Sequence, residues 1–224
     1  CWLAEYDLGY ISGLAAALAA NGIATWSVEY RRVGDTGGGW PGTFVDVAAA
    51  ADRLTELSLE HRLDLNRSIV VGHSAGGHLA LWLAGRKWLE GDDPLRGDAP
   101  VSFSAVLSLA GVADLAAYAS PHGCGSAVAG LLGGEPTEVP ERLQRASPME
   151  LLPLGGEVVL VVGELDPIVP ADQASVFAEA ARRMGDSVTV RSNPGAGHFE
   201  LIDPTTPAGK AVVEMARNLV SRGP

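Results

Sequence analysis

An α/β fold with a mainly parallel sheet is what this 224-residue sequence predicts, on three observations. Apolar runs of strand length recur at residues 23–30, 68–71, 101–109, 157–163 and 187–191. Segments with apolar residues at helical spacing lie between them, and glycine, proline and aspartate collect where one kind gives way to the other. Such alternation needs helical crossovers that return the chain to the same end of a sheet, which makes the strands parallel. With 47% hydrophobic residues the chain can bury one sizeable core, so a single domain over 1–224 is expected.

Over residues 5–20, Leu8, Ile11, Leu14 or Ala15, and Leu18 recur at helical spacing, and Asn21-Gly22 supplies a stop. Residues 23–30 then read as a strand, followed by a glycine-rich loop at 34–42. Thr43 can cap a helix whose inner face is Val47, Ala50 or Ala51, Leu54 and Leu57. The strand Ser68-Ile69-Val70-Val71 leads through Gly72-His73-Ser74-Ala75-Gly76-Gly77 into a helical run at 78–84. The later strands alternate with helices over 171–184 and 207–220. Residues 112–156 break this rhythm: they are rich in proline and glycine, with only short helical pieces such as 126–132. A long irregular insertion between two strands of a compact domain is usually functional, and this one is expected to overhang the carboxyl end of the sheet as a short lid.

The net charge of −11, with no run of Lys or Arg, argues against nucleic acid or an anionic membrane as partner. No apolar stretch is long enough to cross a bilayer, so a soluble, cytoplasmic protein is expected. Cys1 and Cys124 are too few for a disulfide framework and read as free thiols; no Cys/His pattern suggests a metal, and no organic cofactor is implied. The chain opens at Cys1-Trp2 with no Met and no preceding strand, and is read as a fragment.

Strand, sharp turn centred on Ser74, then helix is the context in which G-x-S-x-G becomes a nucleophile elbow. A serine hydroxyl needs a base, and the base works best when a carboxylate orients it. His198, in the loop Asn193-Pro194-Gly195-Ala196-Gly197-His198-Phe199 after the last strand, is the candidate base. His61, His73, His78 and His122 fit less well by position. Asp166, in Gly163-Glu164-Leu165-Asp166-Pro167, directly follows the strand at 157–163 and is the candidate acid, although Asp-Pro is also a common turn. Asp114, Asp203 and Glu164 are rivals. The order Ser74, Asp166, His198 favours Asp166. Trp40, Tyr118, His122 and Phe199 are candidate pocket liners.

Residues 72–78, 163–170 and 195–199 resemble the three catalytic loops of the α/β-hydrolase superfamily over essentially the whole chain. Ser27-Val28-Glu29-Tyr30-Arg31, Trp40-Pro41-Gly42-Thr43-Phe44 and Gly72 to His78 are similar to its bacterial esterase, kynurenine formamidase and feruloyl esterase-like branch. The resemblance implies an α/β-hydrolase sheet with helices on both faces and a small-molecule ester or amide substrate, cleaved through a Ser74, His198, Asp166 triad. A carboxylic ester or aryl formamide is favoured. A prolyl oligopeptidase-like exopeptidase and a non-catalytic binding protein are the alternatives. That branch carries His-Gly-Gly-x-Trp after its third strand, and Cys1-Trp2 matches only the last two positions. The resemblance assigns oxyanion donors to Ala75 and to the residues before Trp2, of which only Cys1 is present. Losing one such donor costs about 100-fold to 1000-fold in turnover. The first strands are likewise absent. The branch's third strand lies between those read at 23–30 and 68–71, so an unstable or aggregation-prone chain is expected, with those two strands lacking a shared neighbour.

Overall fold

The computed structural model describes residues 1–222 and has four strands in the order β1 (Ile69–His73), β2 (Ala105–Leu109), β3 (Glu157–Gly163) and β4 (Ser187–Asn193). All three pairings are parallel, with Ile69 opposite Ala105, Ala105 opposite Glu157, and Glu157 opposite Ser187. The helices are α1 (Ser12–Ala20), α2 (Gly42–Asp52), α3 (Leu54–His61), α4 (Ala75–Gly85), α5 (Leu115–Tyr118), α6 (Ala127–Leu132), α7 (Pro140–Ala146), α8 (Ala171–Arg183) and α9 (Pro207–Arg222).

Period-two alternation in the two central strands sorts their side chains between two layers. Leu107, Leu109, Val159 and Val161 pack with Leu14 and Leu18 of α1 and with Val212, Val213 and Ala216 of α9. Val106, Val158, Leu160 and Val162 pack with Ala80 and Leu81 of α4 and with Ala174, Phe177 and Ala178 of α8. Helix α8 buries Gln173, Ala174, Phe177, Ala178 and Ala181, one stripe at helical spacing, and carries Asp172 in its first turn and Arg182 and Arg183 in its last, where they complement the helix dipole.

The strand expected at residues 23–30 does not form: the segment belongs to no regular element and joins no ladder. β1 is the edge of the sheet among the described residues. The segment and β1 have not closed on one another: a cavity lined by Ile23, Trp26 and Val28 on one side and Ile69 and Val71 on the other lies between them. Thr43 does not cap α2 either. It sits inside the helix, where its hydroxyl accepts from Gly39 N–H (3.0 Å) and donates to Arg31 O, fastening the glycine-rich loop to the chain entering it.

The insertion at 112–156 is more ordered than its composition suggests. Tyr118, Ala127, Val128, Leu131, Leu132, Ala146 and Leu151 are buried in one cluster with Trp2, Phe44, Leu79 and Trp82. Apolar residues at 127, 128, 131 and 132 give α6 a buried face, and this anchors a segment whose prolines and glycines read as loop. Most of the insertion is therefore core wall, and Cys124 is its one residue lining the cavity beside Ser74.

Cys1 and Cys124 are joined in a disulfide with their Cα atoms 5.1 Å apart, which corrects the expectation of two free thiols. The bridge spans 123 residues, a proximity that only the tertiary fold creates. Disulfides persist in oxidising compartments, so the bond also counts against the cytoplasmic expectation. Dithiothreitol, or Cys124→Ser, should lower the unfolding free energy by about 2–4 kcal/mol in urea titrations. A reductant that leaves the wild-type midpoint unmoved would exclude a closed bridge.

Candidate active site

Ser74 stands between β1 and α4 with φ +55° and ψ −117°, a conformation that side-chain-bearing residues rarely adopt. Packing enforces it. Ser74 N–H donates to Leu109 O (2.8 Å) at the end of β2, and Ser74 O accepts from His78 N–H (3.0 Å) in the first turn of α4. A Cβ on Gly72 would collide with the Gly76 carbonyl, so glycine is required there. The second glycine of the motif is not: a Cβ on Gly76 would meet nothing within 4 Å, whereas one on Gly77 would lie 2.7 Å from Gly111 Cα. Ala75, the first residue of α4, keeps an N–H without an intrahelical partner beside Ser74.

Asp166 and His198 are brought together by the loops after β3 and β4. Leu165 N–H donates to Ala196 O (2.9 Å), and a Cβ on Gly163 would lie 2.5 Å from that same carbonyl, so the two loops meet backbone to backbone. His198 Nδ1–H donates to Asp166 Oδ2 at 2.7 Å, and both side chains are almost wholly buried (4% and 2% exposed). Asp166 Oδ1 accepts from Ile168 N–H (2.8 Å) and Val169 N–H (3.0 Å). The turn expected of Asp-Pro is present, and its amides fix the carboxylate that faces the imidazole. The rival acids are occupied elsewhere. Asp114 caps α5 through Ala117 N–H, Asp203 accepts from Thr205, and Glu164 accepts from Ser192.

Ser74 and His198 line one cavity of about 880 Å³, together with Tyr10, Phe199, Ile168 and the Cys1–Cys124 bridge. No hydrogen bond joins Ser74 Oγ to His198 among the described residues; such bonds are commonly long in an unliganded site and tighten with substrate. Phe199 is half exposed and meets the His198 ring edge to face at 5.2 Å. Trp40, expected as a pocket liner, does not line this cavity. Its ring packs instead against Phe44 and beneath the Arg145 guanidinium, 5.0 Å from the ring centroid. Tyr118 and His122 line a separate cavity of about 560 Å³ beside the loop that carries Asp166, where Tyr118 donates to Ile168 O (3.0 Å). Tyr10, Cys124 and Ile168 were missed as liners. Only the Tyr6 and Tyr10 pair at the start of an otherwise small-residue helix could have pointed to the first of them.

A model of the BD-FAE family matches residues 3–181. The chain belongs to the BD-FAE family, in the esterase branch of the α/β-hydrolase fold. Among solved structures, this BD-FAE chain is similar to a truncated form of a carbohydrate esterase from gut microbiota (22% identity, TM-score 0.78, 93% of this chain and 78% of that one). It is also similar to a bifunctional GH43-CE protein of Bacteroides eggerthii (25%, TM-score 0.76), covering 97% of this chain and 32% of that much longer one. Esterase B from Lactobacillus rhamnosis (HN001) aligns at 18% identity and TM-score 0.78 over 95% of this chain and 70% of that one. No curated protein matches.

Two further histidines beside this site are buried and pushed well below the ordinary histidine range, chiefly by desolvation: His73 to about 3 and His78 to about 4. The unfolded chain takes up these protons near pH 6.5 and the folded one does not, so stability falls as pH drops below that value, by about 1.4 kcal/mol per unit for each group. His78→Gln keeps the donor facing Ala146 O. Its stability in urea should fall less steeply than wild type between roughly pH 6 and pH 4.5, by that same amount per unit. Identical slopes would mean that His78 protonates in the folded protein.

Proposed function

We propose that this BD-FAE chain is a serine esterase that cleaves a small carboxylic ester through an acyl-enzyme. The observation that carries this reading is the buried Asp166–His198 contact at 2.7 Å, set in the same cavity as a serine held at φ +55°. Ser74 Oγ attacks the ester carbonyl and passes its proton to His198 Nε2, the ring nitrogen left bare when Nδ1–H is held by Asp166. Ala75 N–H donates to the oxyanion, and Cys1, which lines the same cavity, is the candidate for a second donor. His198 then protonates the leaving oxygen. Water, deprotonated by His198, releases the carboxylic acid and restores Ser74. Solved structures titled carbohydrate esterase and acetyl ester-xyloside hydrolase support a short acyl group on a hydroxylated leaving group. An aryl formamide would use the same residues, with an aniline nitrogen leaving in place of the alcohol.

Fluorophosphonate treatment followed by peptide mapping should label Ser74 and nothing else, and Ser74→Ala should take no label. Asp166→Asn should lower turnover of an acetyl ester on the order of 1000-fold to 10,000-fold, because the imidazole then loses the partner that sets its tautomer. A folded sample that takes no label at Ser74 would sink the esterase reading and leave a binding protein on the same fold. Labelling with no turnover of acetyl or aryl esters, but with turnover of aryl formamides, would shift the substrate class and keep the mechanism.

A further inference from the structure

His73 immediately precedes Ser74 and has no part in the mechanism above, yet both of its ring nitrogens are bonded and the ring is 6% exposed. Its Nε2 lies 2.9 Å from the backbone carbonyl of His198, and its Nδ1 lies 3.1 Å from the Tyr10 hydroxyl. A carbonyl oxygen only accepts, so Nε2 carries the proton and donates; Nδ1 is then bare, and the Tyr10 hydroxyl donates to it. The two imidazole centroids are 4.4 Å apart. We propose that His73 is a positioning residue for His198, holding its main chain at a fixed distance from the serine to which His73 is itself joined by a peptide bond.

The physical need is visible in the loop. His198 follows Pro194-Gly195-Ala196-Gly197, and the Asp166 contact holds its ring while leaving its main chain to be fixed by other bonds. Gly195 is at φ +72°, and a Cβ there would meet nothing within 4 Å, so the loop is loosely walled at that point. The bond from His73 ties the base to the nucleophile through one side chain, and the Tyr10 hydroxyl fixes the direction of that bond. Burial also keeps His73 neutral, so it neither competes for the serine proton nor sets a second positive charge against His198 when that ring is protonated. A shift of about 1 Å between reacting groups can cost on the order of 100-fold in rate.

This inference rests on the reading of Ser74 and His198 as nucleophile and base, and the test separates the two. His73→Gln places an amide near the Nε2 position and His73→Asn places one only near Nδ1, so the two neutral amides differ in whether they reach His198 O. With a fluorophosphonate probe, the saturating rate of Ser74 labelling in His73→Gln should stay within about 3-fold of wild type. In His73→Asn it should fall by about 10-fold to 100-fold, with half-saturation unchanged in both. Equal rates for Asn and Gln in folded samples would overturn the positioning role. A wild type that takes no label at Ser74 would instead remove the esterase reading and this inference with it. Should both variants fail to fold, two-bond proton–nitrogen spectra of the wild type decide: His73 protonated at Nε2 and bare at Nδ1 supports the role, and the opposite tautomer overturns it.

Discussion

The close backbone packing where β1 turns through Ser74 into α4 is the constraint on which the rest depends. Gly72 admits the Gly76 carbonyl, and Gly77 lets α4 lie against Gly111 at the end of β2. Helix α4 is buried on nearly every side because it is pressed this close to the sheet. From that position it is gripped by Trp2, Phe44 and the insertion. The positive φ of Ser74 costs on the order of 1–3 kcal/mol, and the surrounding packing meets it. A hydroxyl raised on such a turn stands at the carboxyl end of the sheet, where the loops after β3 and β4 also arrive.

Those loops explain why a parallel sheet suits this arrangement. Each strand delivers its following loop to the same end, so residues distant in sequence need only adjacent strands to meet. β3 and β4 pair from Glu157 opposite Ser187 to Gly163 opposite Asn193, and Asp166 and His198 follow those last paired residues by a few positions. Gly163, at the final pair, leaves room for the carbonyls of the loop that carries His198.

Much of this was legible in the sequence because it is local or periodic. The elbow, the strand at 157–163 and the positions of Asp166 and His198 follow from short apolar runs ending in glycine-rich loops, and chain order selected Asp166 over Asp114. What escaped depends on contacts between segments far apart in sequence. Nothing near Cys1 or Cys124 signals that their Cα atoms lie 5.1 Å apart. Trp40 looked like a pocket wall because it is an aromatic residue in a glycine-rich loop, but Phe44 and Arg145 give its ring a better-packed place. The stretch at 23–30 has strand composition, yet composition supplies no hydrogen-bond partner, and the ladder forms only where a neighbour stands alongside. The insertion was misread for the reverse reason: its glycines and prolines are plain in the sequence, whereas the burial of Leu131 and Leu132 against Trp82 is not.

Three histidines close to the elbow show how the chemistry of one residue type is set by its partners. His73 and His78 each face a backbone carbonyl with Nε2, and each accepts at Nδ1 from a neutral donor, the Tyr10 hydroxyl and the Trp2 indole N–H respectively. A carbonyl carries no full charge to offset burial, so desolvation dominates and both rings stay neutral. His198 is buried to a similar degree, but its Nδ1–H meets a carboxylate whose other oxygen is held by two turn amides. That contact fixes the opposite tautomer and leaves Nε2 bare. Burial among neutral partners thus keeps His73 and His78 neutral, and the carboxylate beside His198 makes that residue the candidate base.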